Sequence, residues 1–433
     1  MNLQNIKIGI IGIGYVGLPL CIAFAKKFDV IAFDIDFLKI NKLKINIDPN
    51  KEINKKLFKT NKKIIFTNND KDLLSCNFYI ITVPTPVKKN KTPDLSLVFK
   101  ATSIVSKYIN SNDIVVYEST FYPGTTEEFC VPIIEKISNL KFMNEKNEKL
   151  NFINRFYCGY SPERINPGDK KHTINDICKI TSGSTKKIAN FINSVYSNII
   201  DAGTFKASSI KIAEAAKIIE NTQRDLNIGL MNELSIIFNK MNIDTNEIIN
   251  AASTKWNFAK FKPGLVGGHC IGVDPYYLTH KAKKIGYNPK IILSGRKVNN
   301  RMSNYVSQQI INKLTSKNIK KAKILLLGVT FKEDCVDIRN SQIINIYNIL
   351  CKKKLIVDFF DPIADSKELK KMFKKKMINI YKRNNFYDLI VISVEHKFFK
   401  TMGINKIKKL GKSSVIIFDL KSIFKIKDSD FRL

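Results

Sequence analysis

The sequence predicts an α/β fold in two doubly wound halves around a helical middle, and three stretches carry that prediction. The first is an apolar run, Lys7 to Ile13, that breaks into Gly12-Ile-Gly14-Tyr-Val-Gly17 and continues as an amphipathic segment to Lys27. The second is a helical pattern from Ser208 to about Lys240, with Ile212, Ala216, Ile219, Leu226 and Leu230 near a 3.6-residue spacing. The third is a new strand, Lys323 to Leu327, that ends in Gly328 and opens a second alternation of strands and helical segments. A chain of 433 residues exceeds what one core usually holds, so domains are expected at 1–204, 205–315 and 316–433.

The first half reads strand, glycine turn, helix, strand, acid. The second strand, Val30 to Phe33, ends in Asp34, 22 residues after Gly12. That order is the one a dinucleotide needs. The glycines let the backbone approach a pyrophosphate at the helix N-terminus, with Tyr15 and Val16 in the same turn, and Gly17 lets helix and strand pack. Asp34 is placed to accept hydrogen bonds from the ribose, which favours NAD over its 2′-phosphorylated form, although Lys39 lies near. Further strands are expected at Phe78–Val83, Asp113–Tyr117 and Phe156–Tyr160, ending in Pro84-Thr85-Pro86, Glu118-Ser119-Thr120 and Ser161-Pro162-Glu163-Arg164. Ligands of such sheets bind beyond the carboxyl ends of the strands, so Thr85, Thr120 and Glu163 are assigned to one crevice. The Asn-, Lys- and Glu-rich stretch from Lys141 to Asn154 reads as an exposed insertion.

In the middle segment Lys217 and Asn221, one helical turn apart, are flanked by Ala215, Ala216, Ile218 and Ile219, so the pair is expected to be partly buried. The long helix also suits a dimer contact. The loop Gly264 to Leu278, GLVGGHCIGVDPYYL, follows. Its glycines, Gly267 among them, allow close approach of a ligand, and it presents Cys270 four residues before Asp274. The loop alone leaves Cys270 between a nucleophile and a small core residue. A zinc reading of His269, Cys270 and Asp274 fails because no further His or Cys cluster completes a tetrahedral set. Another helical segment contains Arg296 and reaches about Thr315. The last third repeats strands at Ile356–Phe360, Leu389–Val394 and Val415–Phe418, but its first turn lacks GxGxxG. That turn offers Lys332 and Arg339 instead, a point charge and a bidentate fork suited to phosphate. The fold class is therefore α/β, two Rossmann-like doubly wound domains joined by a central helical domain with a long helix.

Composition limits the function. A formal net charge of +34 raises a nucleic-acid partner, but the lysines are spread along the whole chain rather than gathered on one element, so none is expected. A solvated basic surface that helps attract an anionic substrate is the reading kept. No apolar run approaches the roughly 18 residues of a membrane span, and the N-terminus enters a strand without the pattern of a secretory signal. The eight scattered cysteines contain no CxxC pair, which suits reduced thiols and a cytoplasmic location.

The motifs GIGYVGLPL, AFDID, VPTP, EST, SPERINPG, EAAKIIENTQRDLNIGLMNE, GGHCIGVDPYYL and GVTFKEDCVDIRNS together resemble the UDP-glucose/GDP-mannose dehydrogenase family along nearly the whole chain. The form GGHCIGVDPYYL, with His269 before the cysteine, is most similar to the branch acting on UDP-N-acetylhexosamines. One departure is Pro167, where many UDP-glucose enzymes carry a second acid. The resemblance implies an NAD-dependent, four-electron oxidation of C6 of a UDP-N-acetylhexosamine, most simply UDP-N-acetylglucosamine, in a homodimer serving surface polysaccharide synthesis. It implies catalysis by Cys270, Lys217, Asn221, Asp274, Glu163 and Thr120. NAD would be held by Gly12, Gly14, Tyr15, Val16, Gly17, Asp34, Lys39, Thr85 and Thr120. The UDP-sugar would meet Glu163, Arg164, Lys217, Asn221, Gly267, Arg296, Lys332 and Arg339, and no metal is expected. The alternatives are the glucose, galactosamine or mannosamine counterparts, and an NAD-binding regulatory protein that has lost catalysis. Against the last, Cys270, Lys217 and Asp274 are all present.

Overall fold

The computed structural model describes residues 2–49, 58, 63–150, 152–165 and 173–433. The chain divides into two units, Met1–Glu220 with Tyr276–Tyr287, and Asn221–Pro275 with Asn288–Leu433.

In the first unit β1 (Lys7–Ile11), β2 (Asp29–Phe33), β3 (Ile64–Thr67), β4 (Phe78–Ile81), β5 (Ile114–Tyr117), β6 (Lys141–Phe142) and β7 (Arg155–Tyr160) form a parallel sheet. The order is β3-β2-β1-β4-β5-β7-β6, and β8 (Lys179–Thr181) pairs apart from it with β9 (Thr204–Lys206). The order reverses between β1 and β4, which is where a doubly wound sheet binds its ligand. Alternate residues feed opposite faces. Ile8, Ile10, Phe78, Ile80, Ile114 and Val116 enter one core. Ile11, Tyr79, Ile81, Val115 and Tyr117 enter the other. Both faces are covered, by α1 (Gly17–Phe24) on the first, after which α2 (Phe37–Lys44) follows β2, and by α3 (Ser96–Ser106) and α4 (Val131–Ser138) on the second. Burial on two faces is why these strands read as continuous apolar runs. Helix α5 (Lys186–Ser197) returns to the first face through Ile188, Ile192 and Val195.

The stretch from Lys141 differs in part from an exposed insertion. Lys141 and Phe142 add the edge strand β6, because Leu140, Phe142 and Met143 are buried, whereas Leu150 and Ile153 are exposed as expected. Helix α6 (Ile210–Lys240) spans 31 residues, about 46 Å at 1.5 Å per residue. Its apolar stripe faces outward and several of its polar residues face inward. Ile212, Ile219, Leu230 and Ile237 are exposed, while Glu214, Lys217, Asn221, Asp225, Asn232 and Ser235 are buried.

In the second unit come α7 (Thr245–Ala252), the start of α8 (Asp274–Lys284) and α9 (Lys290–Ser316). Strands β10 (Lys323–Leu327), β11 (Ile356–Phe360), β12 (Tyr387–Ile392), β13 (Gly411–Asp419) and β14 (Phe431–Arg432) follow, parallel in the order β11-β10-β12-β13-β14. Ile324, Leu326, Leu389 and Val391 face one core, with α10 (Gln342–Lys352) and α11 (Ser366–Phe373) over it. Leu325, Leu327, Ile390 and Ile392 face the other, which takes Phe399 of α12 (Lys397–Met402) and Ile407 of α13 (Ile404–Lys408).

Candidate active site

The turn after β1 has the shape of a dinucleotide cradle. Gly12 has φ +97°, which only glycine adopts without strain, and a Cβ on Gly17 would lie 2.1 Å from the Gly12 carbonyl oxygen. A Cβ on Gly14 would meet nothing within 4 Å, so the space over the turn is open to a pyrophosphate at the start of α1. Tyr15 and Val16 are half-buried beside it. Asp34 is buried at the end of β2. It accepts the Ile13 N–H at 2.8 Å and the Asp36 N–H at 2.9 Å, and Lys39 Nζ donates to it at 2.7 Å. Lys39 is thus tied to the acid it follows. The Thr82 hydroxyl donates to the Gly12 carbonyl at 2.6 Å, and Tyr277 donates to the Thr85 carbonyl at 2.8 Å, so the loop after β4 is pinned alongside. These residues fit NAD.

The loops after β5 and β7 lie over a buried charge cluster. Thr120 is half-buried, and the neighbouring Ser119 hydroxyl donates to the Val83 carbonyl at 2.6 Å. Glu163 accepts the N–H groups of Arg164 and Ile165 at 2.6 and 2.5 Å through one oxygen; the other lies 3.5 Å from Lys179 Nζ. Lys179 donates to Glu118 at 2.6 Å, and Tyr196 donates to the second Glu118 oxygen at 2.5 Å. Burial works against the Lys179 charge, but Glu118 and Glu163 outweigh it and hold the ammonium above its ordinary range. Sequence reasoning quoted Glu118 as part of a turn and missed Lys179, whose lone position in CKITSGS gives no signal. Arg164 pairs with Glu220 at 2.8 Å and donates to the Cys178 carbonyl. Pro167 lies outside the described residues.

Lys217 is buried on α6, as expected. One turn before it, Glu214 accepts the N–H groups of Gly124 and Thr126 at 2.5 and 2.9 Å and the Thr126 hydroxyl at 2.7 Å. The helix is thereby fastened to the segment that follows Thr120. Burial pushes the Glu214 carboxyl up to about 7.

In the second unit the Cys270 carbonyl accepts the N–H groups of Val273 and Asp274, which turns the chain into α8 and leaves the thiol half-buried. Asp274 is buried and accepts Asn221 Nδ2 at 2.6 Å, so these two expected site residues meet. The start of the loop is fixed by Asn232, which donates to the Gly264 carbonyl at 3.0 Å and accepts its N–H at 2.8 Å. Asn232 also donates to Asn299, and Asn299 to Asp225. Arg296 belongs to this network. Its guanidinium donates to Asp225 at 2.5 Å and to Asn300 at 2.6 Å, and the residue is 4% exposed.

The turn after β10 is the other half of the picture. Lys332 is half-buried with its ammonium 5.7 Å from the centre of the Phe331 ring. Arg339 is exposed and holds Asp337 with two donors at 2.9 and 2.8 Å. Burial favours the neutral Asp337, but those hydrogen bonds outweigh it and hold the carboxyl below its usual range. His269 Nδ1 stands 3.6 Å from the same carboxylate; burial, then Arg339, lowers the imidazole's proton affinity. Beneath the turn, Asp361 accepts the N–H groups of Val329, Thr330, Ile363 and Ala364. His396 lies 3.2 Å from it and accepts the Asp334 N–H on its other nitrogen. Sequence reasoning singled out neither Asp361 nor His396.

Comparison with known proteins places the chain in a family. Residues 6–200 match the NAD binding domain of the UDP-glucose/GDP-mannose dehydrogenase family, 211–301 its central domain and 325–426 its UDP binding domain. The chain is 50% identical to the UDP-N-acetyl-D-glucosamine 6-dehydrogenase of Salmonella typhi, with 100% of both chains covered. It is 48% identical to the protein of that name from Pseudomonas aeruginosa, again over 100% of each. Among solved structures, the UDP-D-ManNAc dehydrogenase of Pyrococcus horikoshii superimposes with a TM-score of 0.86 at 29% identity, covering 99% of this chain and 98% of that one. The open glycine cradle, the Cys loop and the side-chain-lined second turn thus sit in one full-length match, and the chain belongs to the UDP-glucose/GDP-mannose dehydrogenase family as an NAD-dependent dehydrogenase.

Proposed function

We propose that the chain oxidises C6 of UDP-N-acetylglucosamine to the corresponding UDP-uronic acid. The observation that carries the sugar is the gap in identity. Relatives named for N-acetylglucosamine stand at 48–50% over the full chain, whereas those named for N-acetylmannosamine stand at 28–32%. NAD, held at the Gly12–Gly17 turn with Asp34 on its ribose, supplies the hydride acceptor, two being reduced per sugar as alcohol and water become carboxylate. The chain's own residues do the rest. Cys270, as thiolate, adds to the C6 aldehyde formed first, giving a hemithioacetal whose oxygen the Lys217 ammonium stabilises, with Asn221. Loss of a second hydride leaves a thioester, and water cleaves it to free the acid and the thiol. Asp274, fixed by Asn221, orients the groups that exchange protons at this carbon, and Glu163 and Thr120 act through water. Lys332 and Arg339 take the diphosphate, and Gly267 lets the Cys270 loop pack close to the turn that carries them.

In this reading labour divides along the chain: NAD at 1–204, chemistry at 205–315, nucleotide at 316–433. The chain works as a cytoplasmic homodimer that supplies precursors for surface polysaccharide. The dimer reading is supported by α6, whose exposed Ile212, Ile219, Leu230 and Ile237 are spaced 7, 11 and 7 residues apart and so share one face. No helix among the described residues is long and apolar enough to cross a membrane. The deciding experiment measures kcat/KM for UDP-N-acetylglucosamine, its galacto and manno epimers and UDP-glucose, together with NADH released per sugar. A site built to pair the acetamido group should disfavour UDP-glucose by about 100-fold. A preference for UDP-glucose, or one NADH per sugar, overturns the reading.

A further inference from the structure

The loop carrying Cys270 rests on the turn that carries Lys332 and Arg339. Gly267 and Gly268 are packed so closely there that an added Cβ would come within 2.9 Å of the Asn340 carbonyl oxygen and of the Phe331 ring, respectively. Asn340 Nδ2 donates to the Gly268 carbonyl at 3.1 Å, two residues from the thiol. To do so Asn340 holds φ +54°, a conformation Asn tolerates better than most residues. One residue from the thiol, His269 faces the Asp337 carboxylate at 3.6 Å. That carboxylate is the one the Arg339 guanidinium grips with two donors. The turn is itself closed, with Phe331 N–H on the Asp337 carbonyl and the Thr330 hydroxyl on the Lys332 carbonyl. One carboxylate therefore stands between the fork assigned to phosphate and the residue next to the nucleophile.

We propose that Asn340 and Asp337 are positioning residues that seat the Cys270 loop on the nucleotide-binding turn, so that a nucleoside diphosphate on Arg339 resets the placement of the thiol. This rests on the reading of Cys270 as nucleophile and of Lys332 and Arg339 as the diphosphate site. The physical step is a competition. A diphosphate offers the guanidinium a second planar, charged acceptor, Asp337 gives up part of its grip, and its carboxylate turns toward His269. The Asn340 amide transmits any shift of the turn to Gly268.

UDP is the probe, because it fills the nucleotide site without a sugar at C6. Alkylation of Cys270 by iodoacetamide, followed by peptide mass analysis, reads the thiol, and calorimetry reads UDP binding. In the wild-type protein UDP should change the alkylation rate about 5-fold or more, the low end of a coupling between two sites. Asn340→Gly keeps the positive φ accessible and removes only the amide. It should hold UDP within about 3-fold of the wild-type affinity, lose the effect of UDP on alkylation and lower kcat about 10-fold or more. Asp337→Asn, which keeps the shape and removes the charge, should also lose the UDP effect. The proposal is overturned if Asn340→Gly keeps both kcat and the UDP effect. It is equally overturned if kcat and UDP affinity fall together, since the residue would then only hold the nucleotide turn, or if wild-type alkylation ignores bound UDP. Absence of UDP binding would instead refute the nucleotide site, and normal turnover by Cys270→Ser would refute the nucleophile.

Discussion

The turns after β1 and β10 share a backbone plan. Gly12 has φ +97° and donates to the Phe33 carbonyl at 2.9 Å; Gly328 has φ +85° and donates to the Phe360 carbonyl at 2.8 Å. Ile13 donates to Asp34 at 2.8 Å, and Val329, in the same register, donates to Asp361 at 2.7 Å. From there they part. Where the first turn has Gly14 and Gly17, the second has Thr330 and Glu333. Asp34 faces the open cradle and Lys39, whereas Asp361 is fully buried under four N–H groups and His396. One plan thus serves two purposes. With glycines it leaves bare backbone open, and with side chains it becomes a sealed base that carries Lys332 and Arg339. The lesson is that the acid after the second strand is first a structural acceptor for the turn; there is room for a ligand beside it only where the turn above it is left open.

The largest effect that would break this contrast belongs to Gly17. Its Cβ would meet the Gly12 carbonyl oxygen, a backbone atom that cannot move aside, so Gly17→Ala should cost about 3 kcal/mol of stability and abolish NAD binding. Glu333→Ala at the matching, exposed position should stay within about 0.5 kcal/mol. Gly14→Ala sharpens the point. It meets nothing in the protein itself, so unfolding should be unchanged while NAD affinity falls about 10- to 100-fold by calorimetry.

Next in size is the pair of acids. Asp361→Asn puts an N–H donor among backbone donors in a sealed site and should cost about 2–4 kcal/mol in urea unfolding. Asp34→Asn should cost only about 1 kcal/mol but raise the KM for NAD about 10-fold, leaving that for UDP-sugar unchanged. Equal stability losses, or equal effects on NAD, would erase the distinction between the two turns. A smaller effect separates the side chains of the second turn. Arg339→Lys keeps the charge but not the fork, and should raise the KM for UDP-sugar about 10-fold with that for NAD unchanged.

Much of this was legible in the sequence because local rules governed it. The glycine turn, Asp34, the strand runs and the Cys270 loop each follow from spacing and residue type. The apolar spacing of α6 was read correctly as helix, but its stripe of Ile212, Ile219 and Leu230 faces outward, since the buried side holds Glu214, Lys217 and Asn221. Periodicity finds a face without saying what covers it. Lys179 and His396 were missed for a different reason. Each acts through partners far along the chain, Glu118 61 residues away and Asp361 35 away, and no local pattern announces such a pairing.

The smallest predicted effect concerns acid. Burial favours a neutral Asp361, but its hydrogen bonds from His396 and from the N–H groups of Val329 and Ile363 outweigh this and hold the carboxyl below its usual range. A carboxylate whose folded proton affinity is depressed adds stability that is present above the unfolded value, about 3.9, and is lost as pH falls through the folded one. Asp361 should therefore stabilise the second unit fully at neutral pH and progressively less below about pH 4. Asp361→Asn has no such proton to bind. The stability gap between wild type and this variant, taken from urea midpoints by circular dichroism, should be constant from pH 7 to 5 and narrow on further acidification. A gap that stays constant to pH 3 would mean that Asp361 holds its turn by shape alone, and the sealed turn would then owe nothing to charge.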